Sequence, residues 1–186
     1  MLAAGYLIEG KGPAVTQALY RCRFIVTKKC VLYRREADGY NGEKGGRVMK
    51  NAENTIGNLI DKQGVAFISS VDTDGFPNTK AMLPPRKREG IRTFYFTTNT
   101  SSMRVAQYRD NPKACIYFCD RRFFRGVMLK GTMEVLEDSE SKEMIWREGD
   151  TMYYPKGVTD PDYCVLRFTA VEGRYYSNFK SETFEI

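Results

Sequence analysis

From residue 54 onward the apolar positions fall into two rhythms. Within residues 54–62, Ile56, Leu59 and Ile60 share one face at helical spacing, and Gly64 follows as a stop. Residues 65–71 read as a strand, Asp72-Thr73-Asp74-Gly75 as a hairpin turn, and residues 78–83 as the returning strand. Residues 84–90, rich in Pro, Lys and Arg, read as an exposed loop. Further strands are predicted over 91–97 and 113–119. The longest covers 126–136, where Val127, Leu129, Gly131, Met133 and Val135 alternate with Lys130, Thr132 and Glu134. A helix over 139–147 has Asp138 as its cap and Gly149 as its closing residue. Strands over 165–171 and 174–176 complete the set. Six or seven mostly antiparallel strands with few short helices predict a mainly β chain. A closed or nearly closed barrel is expected, because closure removes exposed edges.

Residues 94–112 break the alternation in an informative way. The aromatic run Phe94-Tyr95-Phe96 enters Thr97-Thr98-Asn99-Thr100-Ser101-Ser102, a short helix pattern follows, and Asn111-Pro112 stops it. Hydroxyls and free backbone N–H groups converge at such a turn, and the helix dipole favours an anion there. Ser101 also suits the N-cap. Arg104 lies about one turn into the helix and can add a charge-assisted hydrogen bond to the same anion. The turn therefore reads as a phosphate site.

Charge sharpens the domain picture. Residues 1–48 hold nine Lys/Arg against four Asp/Glu, whereas residues 49–186 hold 20 against 19. The basicity belongs to the leader, so a general nucleic-acid surface is not expected. The leader mixes Gly, Lys, Arg and Tyr without clear period and reads as disordered, with one domain over 49–186. The codons for Lys44-Gly45-Gly46 can spell a ribosome-binding site before Met49. Translation starting at Met49 is one expectation for the leader, and a real flexible extension is the other. No apolar run approaches the roughly 20 residues that cross a bilayer. The first residues lack a basic n-region, so no membrane role and a cytoplasmic location are expected.

The chain has no histidine. That excludes Ser-His-Asp and Cys-His catalysis, and His-ligated zinc or haem. Of the five cysteines, Cys115 and Cys119 are the closest pair in sequence. On one strand face they lie about 13 Å apart, too far for a disulfide. Any chemistry here is expected to come from an organic cofactor, the alternative being that the protein performs none.

The order of elements, with the residues at those places, resembles the pyridoxamine 5′-phosphate oxidase-like family of FMN-binding split β-barrels. Gly75-Phe76-Pro77-Asn78-Thr79-Lys80-Ala81-Met82 is similar to the family's second strand, and Phe94 to Asn99 to its third. Ser101-Ser102-Met103-Arg104 with Asn111-Pro112 resembles its phosphate turn and helix. Residues 126–135 resemble its long strand with a central glycine. The resemblance covers about residues 52–177 and lies nearest the general-stress and nitroimidazole-reductase-like branch. The Arg-rich C-terminal segment that true pyridoxamine phosphate oxidases use for substrate is not found, so that oxidation is not the expected reaction.

The resemblance implies an FMN site. Lys80 would sit near the flavin pyrimidine edge or phosphate, with the Ala81 and Met82 backbone against the ring. Thr97, Thr98 and Asn99 would bond the ring's polar edge or ribityl chain. Ser101, Ser102 and Arg104 would hold the phosphate, and Gln107 would reach in from the helix. It also implies a homodimer with the flavin at the interface, and a small-molecule substrate with NAD(P)H as electron donor. A non-catalytic flavin-binding stress or sensor protein is the alternative, as is a related barrel binding haem or deazaflavin. The loop Asp120-Arg121-Arg122-Phe123-Phe124-Arg125 reads either as a solvated hairpin tip or as an attractor of anions, and Trp146 with Tyr153-Tyr154 as packing or dimer contact.

Overall fold

The computed structural model describes residues 51–186. The expected disordered leader over 1–48 lies outside the described residues. The chain begins with helix α1 (Ala52–Asp61), whose Ile56, Leu59 and Ile60 are buried as their spacing predicts. Strands β1 (Ala66–Val71) and β2 (Pro77–Met82) form the first hairpin, and Gly75 takes the positive φ of 86° that its turn requires. Then come β3 (Lys87–Glu89), β4 (Thr93–Asn99), α2 (Met103–Asp110), β5 (Lys113–Asp120) and β6 (Arg125–Leu136). Helix α3 (Ser139–Ile145), two short 3-10 turns, β7 (Tyr163–Ser177) and β8 (Lys180–Glu185) complete it.

The eight strands of the described residues lie in one antiparallel sheet of order β2-β1-β5-β6-β7-β4-β3, with β8 added to β7. The ends of that order, β2 and β3, do not pair, so the barrel is split rather than closed. Among the described residues the strand number is eight instead of six or seven, for two reasons. Residues 84–90 are not loop throughout: Lys87–Glu89 pairs with Thr93–Tyr95 of β4. Arg88 pins this piece to α1 through Asp61 (2.7 Å) and Glu53 (3.3 Å). Residues 180–185 pair with the second half of β7.

Strand β7 is continuous where two strands were expected. A register shift at Lys130/Gly131 leaves Val171 outside the β6–β7 ladder, which is a β-bulge. Before the bulge β7 lies between β6 and β4, and after it between β6 and β8. Gly131 sits at this bend because a β-carbon there would meet Thr169 O at 2.0 Å.

The described residues form two apolar cores. The larger holds Phe94, Phe96, Phe118, Leu129 and Phe168. The smaller holds Tyr95, Ile145, Tyr154, Tyr163 and Val165, with Trp146 packed on it. Trp146 explains why α3 stops at Ile145 instead of running to Arg147. It leaves the helix with ψ 141° and packs edge-on against Tyr163 at 5.2 Å. Among the described residues no helix is long and apolar enough to cross a membrane.

Candidate functional site

Strand β4 delivers the hydroxyl-rich turn, and its alternation divides the threonines. Phe94, Phe96 and Thr98 face the larger core, and Thr98 is buried. Thr97 faces the other way, toward Tyr154, whose hydroxyl burial pushes up to about 12 and a Thr97 hydrogen bond pulls partly back. Arg104 folds back from the first turn of α2, and its Nη1 donates to Thr98 Oγ1 at 2.7 Å. Arg104 pairs with no carboxylate among the described residues.

Ser102, not Ser101, is the N-cap of α2, and its side chain makes no capping bond. Ser102 Oγ and Thr100 Oγ1 are both buried without a hydrogen-bond partner. The amides of Met103 and Arg104, first in the helix, have no intrahelical acceptor. This end of α2 therefore presents unmatched donors and one unpaired cation, which is the donor set a phosphate ester needs. Among the described residues no group of His, Cys, Asp or Glu could hold a metal.

Asn99 and Ser101 have another partner. Asp162 accepts Asn99 Nδ2 and the Ser101 amide, each at 2.8 Å, and its carbonyl accepts the Thr100 amide at 2.9 Å. The Asn99 and Ser101 hydrogen bonds hold the Asp162 carboxyl below its ordinary range. Asp160-Pro161-Asp162 has only the composition of a simple turn. Its link to the site depends on the β4–β7 pairing of Asn99 with Tyr163, which no local pattern signals.

Gln107 lies on the inner face of α2, buried, and Ser70 Oγ of β1 donates to its Oε1 at 2.6 Å. Tyr108 OH bonds Ser69 O beside it at 3.3 Å. Burial pushes the Tyr108 phenol up to about 12, and the Arg104 charge pulls it partly back. These contacts fix α2 to β1, so the helix connects the end of β4 to a part of the sheet far from it in the ladder.

Lys80, Ala81 and Met82 lie on β2, the strand beside β1. Lys80 opposes Ile68 and shares the face that carries Ser70, whereas Ala81 opposes Phe67 on the outer face. Lys80 and Ala81 are exposed and Met82 is half-buried. The structure thus gathers Thr98, Asn99, Ser101, Ser102 and Arg104 at one helix end. It leaves Thr97 behind that turn, Gln107 beneath the helix and Lys80 to Met82 on the strand next to the helix's anchor.

The basic hairpin is partly folded on itself. Arg125 pairs with Asp120 at 2.6 Å, and Arg122 and Arg125 lie over the Phe123 ring at 5.2 and 4.9 Å. Arg121 and Arg122 are exposed. A hollow of about 360 Å³ lies elsewhere, between the end of α1, residues 83–86 and Arg147. Cys115, Cys119 and Cys164 are free.

Comparison with known proteins gives consistent matches. The family model described as Pyridoxamine 5'-phosphate oxidase matches residues 53–177. A pyridoxine/pyridoxamine 5'-phosphate oxidase of Caulobacter vibrioides is 34% identical over 74 residues, 40% of this chain. That stretch spans only 32% of the relative's length. A crystal structure from Clostridium acetobutylicum, of a protein related to general stress protein 26 of the pyridoxinephosphate oxidase family, is 42% identical. It covers 71% of this chain and 92% of its own, with a TM-score of 0.66. A heme binding protein from Mycobacterium smegmatis shares the fold at 14% identity, over 75% of this chain and 60% of its own, with a TM-score of 0.59.

Proposed function

Since the chain belongs to the pyridoxamine 5'-phosphate oxidase family, we propose that it is a cytoplasmic FMN-binding oxidoreductase. It would pass electrons or hydride from a reduced nicotinamide to a small acceptor. One observation carries the reading: two buried hydroxyls, Thr100 Oγ1 and Ser102 Oγ, have no partner at the end of a helix beside the unpaired Arg104. Leaving a buried hydroxyl unmatched costs about 1–3 kcal/mol. A phosphate ester supplies acceptors for both hydroxyls and for the free amides of α2, and charge for Arg104 and the helix dipole.

When bound, the flavin ring supplies the redox chemistry. The chain's part is to bind and orient. Ser102, Arg104 and the first amides of α2 hold the phosphate. Lys80, with the Ala81 and Met82 backbone, and Thr98 are proposed along the remainder of the cofactor. Gln107 and Asn99 already bond to Ser70 and Asp162, so their part is to shape the site. The heme binding neighbour shares the fold alone, and the chain has no histidine to serve as an axial ligand, so flavin is the reading retained.

A homodimer with the flavin at its interface completes the proposal. Support comes from β2, where Pro77, Thr79, Lys80 and Ala81 are exposed, with Phe67 and Leu83 exposed beside it. The test uses the purified full chain: its visible absorption spectrum, the mass of any cofactor released by heat, and its solution mass. A flavin spectrum, an FMN mass and a dimer are expected. A colourless protein that also takes up no added FMN contradicts the reading. Flavin bound without turnover of NADH or NADPH would leave a binding protein and remove the oxidoreductase half.

A further inference from the structure

The turn that opens the proposed phosphate site has an internal backbone bond, from the Ser102 amide to Asn99 O at 3.0 Å, and takes its remaining support from a distant segment. Its two outward donors, Asn99 Nδ2 and the Ser101 amide, both end on the Asp162 carboxylate at 2.8 Å. The intervening Thr100 amide ends on the Asp162 carbonyl at 2.9 Å. Three consecutive turn residues are therefore fixed by one residue of a distant segment. That segment is itself fixed. The buried Asp160 carboxylate accepts the Asp162 amide at 2.9 Å and the Lys156 amide at 3.1 Å, and Asp160 O accepts the Tyr163 amide at 3.1 Å.

We infer that Asp162 is a positioning residue that sets the shape of the 99–102 turn, and that the Asn99 amide serves Asp162 rather than the ligand. The inference rests on the phosphate reading for its consequence in binding, but its geometry is independent of it. The turn bends between Thr98 and Ser102, the residues that flank the site. With Asp162 in place, Thr100 Oγ1 and Ser102 Oγ stay buried and unmatched, which is the arrangement that a ligand's oxygens relieve. Without its carboxylate the Asn99 amide and the Ser101 N–H seek other partners, the Thr100 amide keeps only its backbone bond to residue 162, and the hydroxyls lose their fixed placement. A preorganised donor set binds more tightly because its ordering is complete before the ligand arrives.

The donor and acceptor roles make the pair testable by exchange. Asn99→Asp sets two carboxylates against each other and should weaken FMN binding at least tenfold. Asp162→Ala removes the acceptor and should do the same. In the double variant Asn99→Asp/Asp162→Asn the roles are reversed. The side-chain amide introduced at position 162 donates to the carboxylate introduced at position 99, while the oxygen of that amide accepts the Ser101 N–H. Affinity should return to within about threefold of wild type. The second readout is exchange of the Ser101 amide hydrogen without ligand. It should be slow in the wild type, fast in both single variants and slow again in the double.

Weakening that the double exchange fails to repair overturns the inference, because Asn99 would then touch the ligand directly. Equal FMN affinity in all four proteins overturns it and leaves the phosphate reading intact. Should the wild type bind no FMN, the phosphate reading fails, and amide exchange decides alone. Protection lost and regained in the stated order upholds the clamp, and unchanged protection removes it.

Discussion

Gly131→Ala tests the bend on which the split sheet depends. A β-carbon at Gly131 would lie 2.0 Å from Thr169 O and 2.9 Å from the Ala170 α-carbon. Both atoms belong to the backbone of β7 where it is paired, so neither can swing aside. Real β-carbons essentially never come within 3.0 Å of such an atom, so the strands must part by about 1 Å to accept the methyl group. That movement breaks the Gly131–Ala170 pairing and strains the 2.7 Å bond from the Ala170 amide to Arg92 O. Two hydrogen bonds at about 1 kcal/mol each, with a similar overpacking term, give a loss of about 3 kcal/mol. Gly126→Ala is the control. Its methyl group would meet Tyr117 Oη at 2.2 Å, but Tyr117 is 40% exposed and can rotate away. Less than about 1 kcal/mol is expected there. Urea unfolding followed through the single Trp146 reads both. The slope should be unchanged and the midpoint lowered for Gly131→Ala, with Tm falling by about 10 °C. A Gly131→Ala protein within about 0.5 kcal/mol of wild type would refute the reasoning, because that is the scatter of neutral surface substitutions.

Three further outcomes follow from named contacts. Arg86→Met strands the buried Asp150, its ion-pair partner, and should cost about 3 kcal/mol in the same unfolding assay; a loss below about 1 kcal/mol would contradict a buried pair. Ser70→Ala leaves Gln107 Oε1 without its donor and should cost about 1–3 kcal/mol of stability with FMN affinity unchanged in the folded fraction. A fall in affinity at constant stability would mean that Gln107 reads the ligand. The Arg88 hydrogen bond holds the Asp61 carboxyl below its ordinary 3.8. Because the folded value is the depressed one, the stability this pair contributes is full above about pH 4 and is lost as pH falls through the folded value. Acid unfolding curves should therefore be less steep for Asp61→Asn than for wild type below pH 4, and parallel curves would refute the assignment.

Much of the fold is written in local pattern. The alternation from Val127 to Val135 gives β6, the spacing of Ile56, Leu59 and Ile60 gives α1, and Asn111-Pro112 marks the end of α2. What escapes local pattern depends on distant partners. Lys87–Glu89 has the composition of a loop and becomes a strand because Arg88 is anchored to α1. Residues 172–177 look like a separate piece, because the bulge at Val171 interrupts their alternation with the residues before it. Strand β8 carries only Phe184 as a buried residue among polar neighbours, and that ring covers Gly173. At the site, the hydroxyl-rich turn, Arg104 and the helix are legible together. The division of labour within the turn is not, since Asp162 reaches it only through the register of β4 on β7.

Affinity for FMN against riboflavin, which differs only by lacking the phosphate, tests the central claim most directly. Quenching of flavin fluorescence by the full chain gives both constants, for wild type and for Ser102→Ala/Arg104→Ala. Charge-assisted bonds of about 1.5–3 kcal/mol each predict at least a hundredfold preference for FMN in the wild type, most of it gone in the variant. Equal affinity of the wild type for the two flavins, or an undiminished preference in the variant, would contradict the phosphate site at the start of α2.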